Sequence, residues 1–159
     1  MDCKPDYRKE LERIPQQSRE TRYERTVRFW PTHTGVPALQ PPAGTRLDSF
    51  ESGKAVLTLP VRKELKQQHG FVHGGVVSYL ADNALTYAGG SVLGDSVTSE
   101  YKINYLRPAL GDTLIARASV LSAGRKQAVC QCEVVALHQD EERMVAFAQG
   151  TINRVGARE

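Results

Sequence analysis

The sequence predicts an α+β domain, one buried helix enclosed by an antiparallel sheet. Three observations carry this prediction. Val76, Val77, Leu80, Ala81, Ala84, Leu85 and Ala88 recur at helical spacing and cover most of a helical wheel, the pattern of a helix buried nearly all round. Two strand-like segments precede that helix and four longer ones follow it, with turn residues between them. The 159 residues suit a single domain with one core.

Taken in order, the chain opens with a charged stretch, Asp6 to Trp30, carrying sparse apolar residues: Leu11, Ile14, Tyr23, Val27 and Phe29. It reads as one or two amphipathic helices broken near Pro15, with Ser18 as a cap for the second. Four prolines and two glycines between Pro31 and Gly44 mark an irregular connector. Residues 1–43 are therefore expected to be a helical extension and connector, and residues 44–159 the folded domain. Thr45 to Glu51 and Lys54 to Val61 read as strands joined by a Ser52-Gly53 turn, with Pro60 at an edge or at the strand's end. Arg62 to Val72 is mostly polar and reads as a loop. The buried helix then starts at Gly74-Gly75 and is expected to end at Gly89-Gly90. Ser96 to Arg107, Asp112 to Ala123, Lys126 to His138 and Arg143 to Arg154 are long strands. Pro108 to Gly111 and Gly124-Arg125 turn the chain between the first three, and Gln139 to Glu142 forms an exposed junction. An all-round apolar helix requires a sheet that curls around it, which is the hotdog arrangement.

Composition excludes several function classes. A net charge of +3 is weak, and the basic residues are densest before Arg28, where they mix with Asp and Glu. This describes a solvated helix better than a nucleic-acid face. No apolar run approaches ~20 residues, so no membrane span is expected. The segment Met1 to Arg13 lacks the apolar core of a secretory signal, and the expected location is the cytoplasm. The three cysteines are odd in number and follow no framework spacing, which favours free thiols in a reducing compartment. Cys130 and Cys132 would share a strand face as small buried hydrophobes. His69 and His73 stand four apart, but Gly70 lies between them and no ligand Glu follows, so no metal site is expected.

The chemistry concentrates on the helix. Ser78, Asp82 and Thr86, four residues apart, form one polar stripe. A carboxylate there is either a structural group satisfied by hydrogen bonds, from Thr86 or backbone amides, or a general base or nucleophile held at low dielectric. At the Gly74-Gly75 start, N–H groups without intrahelical partners carry the positive end of the helix dipole. Glycine admits close approach there, so the terminus is suited to polarising a carbonyl oxygen. Together the two features support acyl transfer or carbonyl activation. Gly74 and Asp82 are eight residues apart, which is about 12 Å along one helix. Reacting groups must approach to about 3 Å. If both act on one substrate, they must come from two copies of the helix, as in a two-fold dimer with antiparallel helices. His73 is expected to bond the loop backbone, and Ser78 lacks the surroundings of a serine nucleophile. Gly124-Arg125-Lys126 reads as a basic hairpin tip able to meet phosphates.

The stretch HGFVHGGVVSYLADNALTYA resembles the signature of PaaI-type hotdog thioesterases, a HGG turn leading into a helix that contains LAD or LVD. INYLRPALGDTLIARASVLSAGRK and AFAQGTINRV resemble the later strands of that family, and the likeness runs from about Gly44 to Val155. The resemblance implies hydrolysis of an acyl-CoA thioester without a further cofactor. It implies that Asp82 is the catalytic nucleophile or general base, that the Gly74 N–H polarises the thioester carbonyl, and that Thr98 orients water or the carboxylate. Gln67 falls where many members carry Asn, one methylene shorter. His73, Gly75 and Ser78 would line the substrate site, with Arg125 and Lys126 contacting the coenzyme A phosphates. It also implies dimers, with Asp82 and Gly74 on different subunits, that pair into tetramers. A non-catalytic acyl-CoA-binding regulator on the same fold is the alternative, but it would need a DNA-binding unit, for which the extension is short. A hotdog dehydratase would need an Asp–His pair on a motif absent here.

Overall fold

The structure, a computed structural model, describes residues 44–155, so the helical extension expected over residues 1–43 lies outside the described residues. Six strands and one long helix make up the described domain. They are β1 (Arg46–Glu51), β2 (Lys54–Pro60), α1 (Gly74–Leu93), β3 (Ser96–Tyr105), β4 (Thr113–Ala123), β5 (Gln127–His138) and β6 (Glu141–Arg154). All neighbouring strands pair antiparallel in a single sheet of order β1-β2-β4-β5-β6-β3. Helix α1 packs against β2, β3, β4, β5 and β6 and also touches β1. Both edges of the sheet thus reach one helix, which demands a sheet curled around it. The hotdog arrangement expected from the sequence is the one found.

The core lies between α1 and the sheet. Val77, Leu80, Ala81, Ala84, Leu85 and Ala88 from the helix meet Leu57, Leu59, Leu114, Val134 and Ile152 from the strands, all buried. The helix is not covered all round, however. Ser78, Tyr79, Asp82, Asn83, Thr86 and Tyr87 are only partly buried. They project from the side of the helix that faces the gap between edge strands β1 and β3, which no other described element fills. Apolar spacing identified the covered side correctly. It overstated coverage because the side carrying the polar stripe, with Tyr79 and Tyr87 beside it, is only partly covered by the sheet.

The helix also continues beyond Gly89-Gly90, ending at Leu93 with Gly94 at positive φ (83°) as its cap. The reason is packing. A Cβ on Gly89 would lie 2.7 Å from Ile152 Cβ, so this glycine lets helix and sheet approach rather than ending the helix. Two-residue geometry joins β5 and β6: Gln139 and Asp140 both have positive φ (47° and 65°), the signature of a tight hairpin turn. The expected loop before the helix contains a short 3₁₀ turn, Lys63–Leu65, and an isolated bridge between Lys66 and Val72.

One irregularity positions side chains for the site. The β3–β6 register shifts between Thr98 and Glu100, so Thr98 faces Ile152 while Glu100 faces Thr151. Such a bulge reverses the alternation of side chains along the strand. Ser96 and Thr98 are the less exposed positions before it, and Tyr101 and Ile103 after it. Opposite Tyr101 stands Gly150, where a Cβ would meet Glu100 O and Tyr101 Cβ at 2.6 Å.

Gly89→Ala and Gly150→Ala are each expected to destabilise the fold by about 1–3 kcal/mol through overpacking, read by denaturant unfolding. At Gly89 that outweighs the ~1 kcal/mol alanine gains in helix propensity. Burial pushes the Cys130 thiol up to about 11 and the Cys132 thiol up to about 12. Thiolates are the reactive form, so neither cysteine should react with a disulfide reagent at pH 8 until the chain is denatured.

Candidate active site

The polar stripe of α1 docks on β3 through hydroxyl groups. The bulge brings Thr98 and Tyr101, three positions apart, both onto the helix side. Thr98 Oγ1 donates to Asp82 Oδ1 at 2.7 Å, and the Tyr101 hydroxyl bonds Ser78 Oγ at 2.6 Å. Thr86 Oγ1 lies 2.7 Å from Thr98 Oγ1 and donates to the Asp82 backbone carbonyl at 2.9 Å. The carboxylate is therefore partly satisfied, but by Thr98 rather than by Thr86 or backbone amides. Its second oxygen, Oδ2, has no hydrogen-bond partner among the described residues. A half-buried carboxylate with one oxygen anchored and one open is oriented for chemistry, since the anchored bond fixes the direction of the free lone pairs.

The helix N-terminus is built as a single open donor. His73 caps it with extended backbone (ψ 134°), and its Nδ1 accepts from Gly75 N at 2.9 Å. An accepting Nδ1 carries no hydrogen, so the neutral ring holds its proton on Nε2. The Val76 and Val77 N–H groups bond the His73 carbonyl at 2.9 and 3.3 Å. Of the first four amides of α1, only the Gly74 N–H is without an acceptor among the described residues. The sequence pointed to both glycines as substrate contacts. The structure separates them, because the Gly75 amide is occupied by the imidazole. His73 bonds the backbone as expected and also donates its own N–H to Leu65 O at 2.9 Å. His69 stacks on Phe71 (centroids 5.8 Å apart), and no cluster able to hold a metal occurs among the described residues.

A cavity of about 450 Å³ opens at this terminus, lined by Gln67, Phe71, Gly74, Gly75, Tyr105 and Arg107, among others. Gln67 thus lies beside Gly74, in a turn closed by Gly70 N donating to Gln67 O at 2.9 Å. Tyr105 was not legible as a site residue. Its hydroxyl donates to the Gly74 carbonyl at 3.0 Å, and its ring lies 3.6 Å from where a Gly74 Cβ would stand. Arg107 was also missed. It borders this cavity and a neighbouring groove of about 750 Å³ that Lys66 also lines. The only sequence signal for either was position, just before the turn that returns the chain from β3 to β4.

The predicted residues fall into three places within one chain. Gln67, His73, Gly74 and Gly75 gather at the start of α1. Ser78, Asp82 and Thr98 lie along its middle. Arg125 and Lys126, both exposed, occupy the β4–β5 turn, where Lys126 O accepts from Arg154 N and the next residue, Val155, donates to Asp95 O just past the helix end. That tip therefore sits at the far end of α1, about 30 Å from Gly74 for a 20-residue helix. Near Asp82, the open side of the helix carries Tyr79, Asn83 and Tyr87. Phe50 of β1 meets Tyr87 edge-on, with centroids 6.1 Å apart. Burial pushes the Tyr79 phenol up, and the neighbouring Tyr87 and Asp82 side chains act in the same direction.

Comparison with known proteins agrees with this architecture. The thioesterase superfamily profile matches residues 69–142. The acyl-coenzyme A thioesterase PaaI of Escherichia coli is 35% identical over 114 residues, covering 71% of this chain and 79% of the relative. A thioesterase family protein from Silicibacter pomeroyi, solved as a crystal structure, superimposes with a TM-score of 0.69 at 36% identity, covering 71% of this chain and 86% of its own. A Streptococcus mutans protein solved bound to acetyl CoA gives a TM-score of 0.66 at 29% identity, covering 79% of this chain and 99% of its own. With its curled sheet, central helix and HGG-initiated turn, the chain belongs to the thioesterase superfamily, as a PaaI-type hotdog thioester hydrolase.

Proposed function

We propose that the protein hydrolyses acyl-CoA thioesters at a site shared between two copies of the chain, with Asp82 of one copy facing the Gly74 N–H of the other. The observation that carries this reading is the placement of the two open groups. The free Gly74 amide and the free Asp82 Oδ2 lie on one continuous helix, about 12 Å apart along its axis. A thioester carbonyl polarised at one cannot be reached from the other in the same chain. Antiparallel pairing of two helices would bring each N-terminus beside the middle of its neighbour.

Two features support such pairing. Among the described residues, strand β3 ends the sheet, is ten residues long and pairs only with β6, so its outer edge offers backbone groups that a second β3 could satisfy. The open side of α1 between β1 and β3 also needs a cover. The relative from Escherichia coli acts on acyl-coenzyme A by name, and the Streptococcus mutans neighbour was solved with acetyl CoA; both support a coenzyme A thioester as substrate.

In the reaction, the Gly74 N–H and the helix dipole would stabilise negative charge developing on the carbonyl oxygen. Asp82, anchored by Thr98, would attack the carbonyl or activate water. Gln67 and Tyr105 would hold the glycine turn, Tyr105 through the Gly74 carbonyl. Ser78, tied to Tyr101, would shape the wall beside Asp82, and His73 would fix the turn by engaging Gly75. Arg125 and Lys126 belong in this picture only if they come from the Asp82 copy. There the basic tip lies beyond the second copy's helix start, in line to receive phosphates. Tyr79, Tyr87 and Phe50 offer apolar surface to the acyl group. No redox cofactor or metal enters this scheme.

Asp82→Asn is expected to lower kcat/KM by about 10²–10⁴ with acyl-CoA substrates, followed by thiol release. Near-normal turnover of every hydrolysed thioester would end this mechanism. Gly74→Pro removes the N–H at a position where helical geometry and the extended His73 suit proline. It should be inactive alone. Refolding it together with Asp82→Asn should restore about a quarter of wild-type activity, since half the dimers are mixed and each contains one intact site. Failure of the mixture to recover activity, with both variants folded, would place the two groups in a single chain.

A further inference from the structure

We infer that a second copy of the chain docks on the outer edge of β3 in one register, with Tyr101 at the two-fold axis and Glu100 of each copy paired with Lys102 of the other. The inference rests on the shared site proposed above and fixes how the two copies meet. Three hydrogen bonds tie α1 to β3 in antiparallel order: Asp82 to Thr98, Ser78 to Tyr101, and Gly74 to Tyr105. An axis that sets Asp82 of one helix beside Gly74 of the other passes midway between them, at Ser78. Ser78 is the residue bonded to Tyr101, at 2.6 Å. The same axis therefore crosses the strand edge near Tyr101.

Charge selects the same position independently. A two-fold axis normal to a sheet leaves every side chain on its own face, so it passes between two copies of one residue. Glu100, Tyr101 and Lys102 are the residues at this point, all in the uninterrupted β3–β6 register beyond the bulge. An axis at Glu100 would set carboxylate against carboxylate, and one at Lys102 ammonium against ammonium, both destabilising. With the axis at Tyr101, each Glu100 stands opposite a Lys102, twice per dimer. Glu100 and Lys102 are exposed, flanking the inward Tyr101. Glu100 is held in place, since its Oε1 accepts from Thr151 Oγ1 at 2.6 Å. Its Oε2 and the Lys102 ammonium have no hydrogen-bond or ion-pair partner among the described residues. An open strand edge accepts many partners unless side chains restrict it. Here opposite charges admit one register of this chain and oppose the two beside it.

The test uses the full chain and reads assembly without substrate, so an inactive enzyme and a wrong register show in different measurements. Carbodiimide couples a carboxylate to an ammonium in contact. In ¹⁵N-labelled and unlabelled wild type refolded together, it should join Glu100 of one chain to Lys102 of another, as read by peptide mass spectrometry. Charge swaps then test selection, with differently tagged chains co-expressed and dimer composition read by native mass spectrometry. Two wild-type chains should give about half mixed dimers. Glu100→Lys with Lys102→Glu should give more than about nine-tenths mixed dimers, because opposite charges then meet only across unlike chains. The double variant Glu100→Lys/Lys102→Glu restores opposite pairs within its own dimer. With wild type it should give fewer than about one-tenth mixed dimers. Coupling of Glu100 only within its own chain, or statistical mixing in both swap experiments, would overturn the inference.

Discussion

The site depends on one interaction, the hydrogen bond from Thr98 on β3 to the carboxylate of Asp82 on α1. A carboxylate placed against a packed helix–sheet interface loses hydration and must be compensated. Here the compensation comes from the neighbouring edge strand, and it is partial by construction. Oδ1 is held at 2.7 Å while Oδ2 has no hydrogen-bond partner among the described residues. Full compensation would have made Asp82 a structural group. Without any, the helix would be destabilised by its own charge.

That bond in turn depends on the β3 bulge. In a regular strand, Thr98, Glu100 and Lys102 would share the helix side, placing two further charges against the core. The register shift between Thr98 and Glu100 turns Glu100 and Lys102 outward and brings Tyr101 inward, opposite Ser78. Gly150 on β6 leaves the room this requires. One irregular residue on the strand and one missing side chain on its neighbour therefore convert a sheet edge into a support for the polar stripe.

At the other end of the reaction geometry, His73 selects the donor. Its carbonyl and imidazole together occupy three of the four terminal amides of α1, leaving the Gly74 N–H without an acceptor among the described residues. The histidine of the HGG turn is thereby given a physical task, directing which N–H remains open. The length of the helix then separates that donor from Asp82. A site assembled from two copies needs no motion of the helix, only a cover for the open side and for the outer edge of β3.

The sequence by itself determined the element order, the central helix and the turn positions, and it singled out Asp82 and Gly74 as candidate groups. These follow from hydrophobic period, glycine placement and the fixed rise of a helix, all local properties of the chain. It also fixed the buried setting of Cys130 and Cys132 through alternation on β5. It marked the polar side of the helix through Ser78, Asp82 and Thr86, but not that the sheet leaves this side uncovered, because that depends on where the edge strands β1 and β3 lie. It misplaced the helix end, because the Gly89-Gly90 pair looks like a stop, whereas Gly89 serves contact with Ile152, more than sixty residues away. The partners of Asp82, the occupied Gly75 amide, the reach of Tyr105 to Gly74 and the distance of Arg125 and Lys126 from the helix start were decided only in three dimensions. Each depends on strand register and crossover, and these pair residues distant in sequence that no local pattern relates.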